Sequence, residues 1–142
     1  MKGQGLLLAI VTAVVIAAVV LGFLVLGTPG KARRETLDRQ RVDDLQVVVN
    51  HVRAMWNVDS KKPLPATLEA AMAGERPKSR MRDPVTKELY GYRVLGATKF
   101  EVCATFDTEV KEEDLESWNL SWAHPAGRHC FTIDLAGPER GP

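Results

Sequence analysis

The chain has little of several features that would point directly to a function. Its 142 residues include only two cysteines, and 19 basic against 18 acidic residues leave a net charge of +1. A chain this close to neutrality has no general electrostatic attraction for nucleic acid. It also contains no phosphate-binding loop, paired-carboxylate motif or serine elbow. We therefore expect neither an enzyme nor a nucleic-acid-binding protein, and no cofactor or small-molecule substrate.

The longest stretch without charge lies at the amino terminus. Residues 5–27 contain no charged residue, and Thr12 supplies their one polar side chain. As a helix this segment would extend about 34 Å, slightly more than the ~30 Å hydrocarbon core of a bilayer. A cleaved signal peptide, the main alternative, has an apolar region of only about 7–15 residues. The sequence therefore predicts a single transmembrane helix over 5–27, with a short flank at 1–4 and a hinge at 28–32.

The remaining residues, 33–142, are enough for one domain and too few for two. Apolar residues recurring at spacings of three and four predict an amphipathic helix of about 24 residues from Arg33. A short helix over 64–72 follows, and the later part of the chain shows the alternation typical of strands. Helices first and strands later favour an α+β fold, with both helices packed on a small antiparallel sheet. The apolar stripe of the long helix consists of Val42, Leu45, Val49, Val52 and Trp56.

Both cysteines are predicted to lie on strands. Cys103 alternates with the apolar residues of a strand that ends at Phe106, and Cys130 does so in a strand from about Arg128 to Leu135. Both sulfur atoms should project from the side of the sheet opposite the core, within bonding distance if the strands are antiparallel neighbours. We expect a disulfide, which would persist in an oxidising compartment. Two reduced cysteines on a cytoplasmic domain are the alternative.

The charges beside the apolar segment argue for the opposite orientation. Five basic residues from Lys31 to Arg41 follow it, whereas Lys2 and the amino terminus precede it. Counted alone, these charges place the domain in the cytoplasm. We give the expected disulfide more weight. The prediction is a single-pass protein of the inner cell membrane whose domain is extracytoplasmic and meets a protein partner in the membrane or periplasm.

Two groups of side chains are candidates for a partner-binding surface. One is a run of alternating basic residues, which suits lipid headgroups or an acidic partner. The other is a pair of tryptophans four residues apart in an acidic segment, a residue type common at interfaces. The alternatives are a solvated loop for the basic run and packing over the core for the tryptophans. The candidates are Arg76, Lys78, Arg80, Arg82, Trp118 and Trp122.

A metal site near the carboxyl terminus is not expected. Zinc accepts mixed nitrogen and sulfur ligands, and His124, His129, Cys103 and Cys130 would be the residues available. Their spacing matches no standard zinc pattern, and strand alternation points His129 and Cys130 to opposite faces. A Cys–His nucleophilic pair would need a free, activated thiolate. We interpret His129 as a half-buried residue on the core side.

Several short motifs resemble those of a known group of proteins. Leu64-Pro65-Ala66-Thr67-Leu68 follows the amphipathic helix, and the turn at Asp83-Pro84 precedes Tyr90-Gly91-Tyr92-Arg93. Behind an amino-terminal hydrophobic helix, this order resembles the type IV pilins and the pseudopilins of type II secretion. The resemblance implies a pilin-like fold on a membrane anchor.

The amino terminus departs from that group. Gly3-Gln4-Gly5-Leu6 lacks the Phe-Thr-Leu-Ile-Glu of the processing site, and no acidic residue lies within 5–27. The group uses that glutamate for subunit register in the filament, so its absence argues against processing and polymerisation. We predict a non-catalytic interaction domain fixed to the membrane. The alternatives are a minor pseudopilin-type subunit of a secretion or pilus machine, and a cytoplasm-facing regulatory protein tethered to the membrane.

Overall fold

The computed structural model describes residues 2–26, 29–74, 78–115 and 120–137. The chain divides into two compact units, Met1–Arg34 and Glu35–Pro142. Within the described ranges it forms three α-helices and one three-stranded antiparallel sheet, which confirms the predicted α+β class. The helices are α1 (Lys2–Leu26), α2 (Pro29–Val58) and α3 (Leu68–Ala71), and the strands are β1 (Gly91–Val94), β2 (Lys99–Phe106) and β3 (Gly127–Asp134).

Helix α1 covers most of the predicted apolar segment. The hydroxyl of Thr12 donates to the carbonyl of Leu8 at 2.9 Å, so the one polar side chain of residues 5–27 is satisfied within the helix. Large apolar side chains along α1 are exposed, including Leu8 at 69% and Leu24 at 75%. No helix in the described ranges is both long enough and apolar enough to cross a membrane.

Helix α2 begins at Pro29, four residues before the predicted start at Arg33, so residues 29–32 are helical. Proline is compatible with a first turn because no amide hydrogen is needed there. The predicted stripe contributes to the core: Leu45, Val49 and Val52 are at most 1% exposed. Val48 is also fully buried, while Val42 packs at the edge of the same cluster.

Helix α3 is shorter than predicted. The prediction ran over 64–72, whereas the helix covers only Leu68–Ala71. Thr67 has an extended backbone and its hydroxyl accepts a hydrogen bond from the amide of Ala70 at 3.2 Å. Because that cap satisfies an amide of the first turn, the helix starts after Thr67 rather than at Pro65.

The sheet has the order β1-β2-β3. Phe100, Val102, Ala104 and Phe106 of β2 point to one face, the inner face, where they share a buried apolar cluster with α2. Phe131 and Ile133 of β3 lie on that face too, opposite Val102 and Phe100. The other face, the outer face, carries Glu101, Cys103 and Thr105 from β2 and Arg128 and Cys130 from β3.

Candidate functional site

Arg41 lies at the centre of a buried group of carboxylates. Its side chain is 4% exposed, and one terminal nitrogen donates to Asp38 and to Asp107, each at 2.7 Å. The Nε atom donates to Asp83 at 2.6 Å. These partners come from α2, from the loop before β1 and from the residue that follows β2. One guanidinium therefore ties three separate parts of the chain together, as its planar set of donors allows.

Asp38 is satisfied by the backbone beyond β2 as well as by Arg41. Its carboxylate accepts from the amide of Asp107 at 2.9 Å, and from the amide and hydroxyl of Thr108 at 2.7 and 2.6 Å. Burial alone would raise the pKa of Asp38, but these hydrogen bonds outweigh it and hold the pKa below its usual range. Hydrogen bonds to carboxylates likewise raise the pKa of Arg41 against the opposing effect of burial.

The loop from Asp83 to Glu88 is organised by the same cluster. The Oδ1 atom of Asp83 accepts from the amides of Val85 and Thr86 at 2.7 and 2.9 Å, which closes a tight turn. Burial opposes ionisation of Asp83, yet the bonds from Arg41 and these amides lower its pKa. Among the described residues, Lys87 is the one non-glycine residue with a positive φ, 63°. That conformation costs energy, so the surrounding bonds must impose it.

The disulfide joins Cys103 to Cys130 across β2 and β3, as predicted. The two residues are direct partners in the antiparallel register, and their Cα atoms are 4.0 Å apart. On the other side of β2, Cys103 pairs with Gly91. A Cβ atom at Gly91 would lie 2.8 Å from the Cβ atom of Cys103, so only glycine fits beside the cysteine.

A cleft of about 410 Å³ lies between the Asp83–Glu88 loop and the outer face of the sheet. Cys103 and Gly91 contribute to its lining, together with Thr105 and Arg128 of the outer face. Its volume falls within the range of small binding sites. A second groove, of about 480 Å³, runs along the polar side of α2 and is lined by Asp43, Asp44 and Arg80 among others.

Of the four residues in the basic run, the structure describes the side chains of Arg80 and Arg82. Arg80 is exposed and lines the groove along α2. Arg82 is exposed, but its guanidinium donates to the carbonyl of Lys87 at 2.9 Å. Lys78 begins a short 3₁₀ turn, and Arg76 lies outside the described residues. The idea that these four residues act together stays a prediction.

The two tryptophans do not appear together on a described surface. Trp122 is 4% exposed and packs on Phe131 with ring centroids 4.6 Å apart. Its place in the core corresponds to the packing alternative, since its side chain has almost no accessible area. A role of Trp122 in partner binding stays a prediction. Trp118 lies outside the described residues.

His124 and His129 are not arranged as metal ligands or catalytic bases with the cysteines. His124 is buried and stacks on Phe106 at 3.7 Å between ring centroids, and burial lowers its pKa. His129 is half-buried beside Phe131, as expected. Glu101 lies near both cysteine sulfur atoms, but the disulfide leaves no thiolate there to bind a metal.

Sequence reasoning missed the cluster around Arg41, which was counted only as part of a basic flank. The one local signal was the three-residue spacing from Asp38 to Arg41, which puts the two side chains on one helix face. The partners at Asp83 and Asp107 are 42 and 66 residues away from Arg41. No pattern in the sequence indicates such pairings.

Comparison with protein-family models, with curated proteins and with solved structures finds no match.

Proposed function

We propose that the chain is a membrane-anchored, non-catalytic interaction domain that faces an oxidising compartment outside the cytoplasm. The observation that carries the proposal is the disulfide between Cys103 and Cys130. Disulfides between strands persist where thiols are not kept reduced, as in the periplasm or at the cell surface. The bond closes a segment with a sequence separation of 27 residues. In the chain-entropy treatment such a bond stabilises a domain by about 3–4 kcal/mol.

The anchor is supported by the sequence and by the surface of α1. Residues 5–27 carry no charge, and the large apolar side chains of α1 that the structure describes are exposed in the isolated chain. Hydrocarbon is the surrounding that such a helical surface favours, because burial there removes apolar area from water. The proposal is that these residues lie in the inner cell membrane and leave residues 33–142 outside it.

A binding role is favoured over catalysis by the polar groups of the domain. The charges of the Arg41 cluster are bonded to one another, and the two cysteines are oxidised. A nucleophile needs an accessible thiolate, hydroxyl or amine activated by a base. We propose that the domain has a pilin-like arrangement, with a long helix against a small meander, and that it works as a fixed module rather than as a filament subunit.

The compartment is tested by thiol trapping of the full chain in intact bacterial cells. Cells are quenched in acid, and the protein is reacted under denaturing conditions with a maleimide polymer before and after reduction. We expect no mass increase before reduction and an increase of two polymers after it. Two modified thiols before reduction would overturn the extracytoplasmic assignment and favour the cytoplasm-facing alternative.

The anchor is tested by extraction of membranes at alkaline pH. The wild-type chain is expected to stay in the membrane fraction, and Val15→Arg to move toward the soluble fraction. A charge near the centre of a spanning helix costs about 2.5–3.5 kcal/mol on insertion scales. The matched control is Val58→Arg, at a position that is 87% exposed at the end of α2. Release of the wild type would contradict the anchor. Cleavage after Gly3 or Gly5, seen by mass spectrometry of the mature chain, would support the pseudopilin alternative instead.

A further inference from the structure

The outer cleft has two walls that are fixed by independent contacts. One wall is the loop that contains Lys87, which is held by the bond between Arg41 and Asp83 and by the tight turn after Asp83. The other wall is the sheet, where the disulfide locks β2 to β3. Because both walls are tied down, little conformational entropy would be lost when a ligand enters.

Besides the ion-paired Arg41, Asp83 and Asp107, two further charges of opposite sign line this cleft. Glu88 comes from the loop and Arg128 from β3. Both are exposed, and neither side chain makes a hydrogen bond or an ion pair with the residues that the structure describes. Asp107 lines the same cleft with a side chain that is 45% exposed, and one of its oxygen atoms is bound to Arg41. The cleft therefore offers a free cation at the sheet and free acidic oxygen atoms around it.

Apolar groups line the same cleft as these charges. Val85 and Leu89 line the cleft and remain 56% and 41% exposed. Two apolar side chains beside fixed charges are typical of a surface that accepts a peptide, because the charges set its orientation and the apolar contacts add affinity. A small anion or a metal ion would use only one part of this arrangement.

We propose that the cleft binds a short segment of a protein partner that carries an acidic, an apolar and a basic side chain in close succession. The acidic group pairs with Arg128, the apolar side chain covers Val85 and Leu89, and the basic group pairs with Glu88 and Asp107. This inference rests on the interaction role proposed above, since it names the surface which that role would use and the chemistry of the partner.

The test uses the isotopically labelled full chain in detergent micelles and the blocked peptide acetyl-Ala-Asp-Leu-Lys-Ala-amide. We expect saturable shifts of the backbone amide signals of Gly91, Thr105 and Arg128. Glu88→Gln and Arg128→Gln should each weaken binding about two- to five-fold, as loss of one exposed ion pair predicts. Added salt should weaken it further. The control variant is Lys62→Gln, which removes a charge that is 79% exposed and does not line the cleft.

A neutral peptide, acetyl-Ala-Asn-Leu-Gln-Ala-amide, separates charge recognition from apolar adsorption. Equal binding of the two peptides, or unchanged binding by both charge variants, would overturn the inference, as would the absence of saturable shifts at the cleft. Because the variants alter exposed side chains, an unchanged amide spectrum elsewhere shows that the fold is intact. If the thiol and membrane assays agree with the proposed function but no saturable shift is seen, only the cleft assignment is contradicted. If the chain binds the charged peptide but has free thiols in cells, the cleft assignment stands and the extracytoplasmic assignment is contradicted.

Discussion

The inner face of the sheet packs its side chains against α2, whereas the outer face is held by covalent and ionic contacts. On the inner face Phe100, Val102 and Ile133 are at most 2% exposed. On the outer face the contacts are the disulfide and the pair between Arg93 and Glu101, at 2.9 Å across β1 and β2. Apolar burial stabilises the inner face in any compartment. Stabilisation of the outer face depends on the redox state, and this face carries the outer cleft.

The Arg41 cluster connects the inner face and the outer face at one end of the sheet. It links α2 on the inner side with the loop that forms a wall of the outer cleft. We expect this charged cluster to contribute more to the geometry of the loop than to stability, because desolvation offsets much of the attraction between buried charges. The two faces can therefore be separated experimentally by choosing substitutions that act on one of them.

The largest effect is expected from truncation on the inner face. Phe100→Ala should lower the free energy of unfolding by about 3–5 kcal/mol, because it removes buried apolar area and leaves a cavity. Chemical denaturation followed by circular dichroism in oxidising buffer measures the change. The control is Leu95→Ala in the hairpin loop, where the side chain is 47% exposed, and its effect should stay below about 0.5 kcal/mol. Equal effects of the two variants would contradict the assignment of the core.

Removal of the disulfide should have the next largest effect and should act through the outer face. Cys103→Ala combined with Cys130→Ala should lower the free energy of unfolding by about 3–4 kcal/mol. Adding a reductant to the wild-type chain should give a loss of similar size, while the double variant should not respond to it. A wild-type chain whose stability is unchanged by complete reduction would show that the inner face alone determines the fold.

The features that could be predicted from the sequence follow from local periodicity. The spacing of Leu45, Val49 and Val52 places them on one side of a helix, and alternation along β2 and β3 places both cysteines on one side of the sheet. These assignments need only the geometry of a helix and of a strand. The cysteine pairing needed one further assumption, that β2 and β3 are antiparallel neighbours, which the structure confirms.

The features that could not be predicted depend on contacts between distant residues. A charged residue such as Arg41 normally indicates a solvent-facing position, and its burial depends on carboxylates that only the folded chain brings together. The shape of the outer cleft depends on the loop at Asp83, where a turn was expected but not its bond to α2. The alternatives for Trp122 were likewise open in the sequence, because two tryptophans at helical spacing suit both a core and a surface.

Substitution of Arg41 should affect both faces of the sheet. Arg41→Lys keeps the positive charge but replaces a planar set of donors by a single ammonium group. We expect a loss of about 1.5–3 kcal/mol in the free energy of unfolding, the range for hydrogen bonds to charged groups, and faster amide exchange at Val85 and Thr86. The control is Arg39→Lys, at an exposed position of the same helix. Unchanged exchange in the loop would show that the cleft wall is held without Arg41.

The smallest effect is expected at Asp44, a buried carboxylate on α2 that accepts a hydrogen bond from the hydroxyl of Tyr90 at 3.2 Å. Burial raises the pKa of Asp44 above its usual range, although the Tyr90 hydroxyl opposes the shift. A folded-state pKa above the unfolded value means that protonation stabilises the fold at low pH, and that this contribution is lost as the pH rises through the folded pKa. Asp44→Asn keeps an acceptor for Tyr90 without the charge. The free energy of unfolding of this variant should match that of the wild type near pH 3 and exceed it at pH 7 by about 0.5–1 kcal/mol.

Asp83→Asn should show the opposite sign. Despite burial, Arg41 and the nearby amides lower the pKa of Asp83. The stability that its ionised form contributes is therefore present at neutral pH and disappears on acidification. Unfolding curves of the three proteins between pH 3 and pH 8 measure both trends, and a difference for Asp44→Asn that does not change with pH would contradict a charge penalty on the helix side of the sheet.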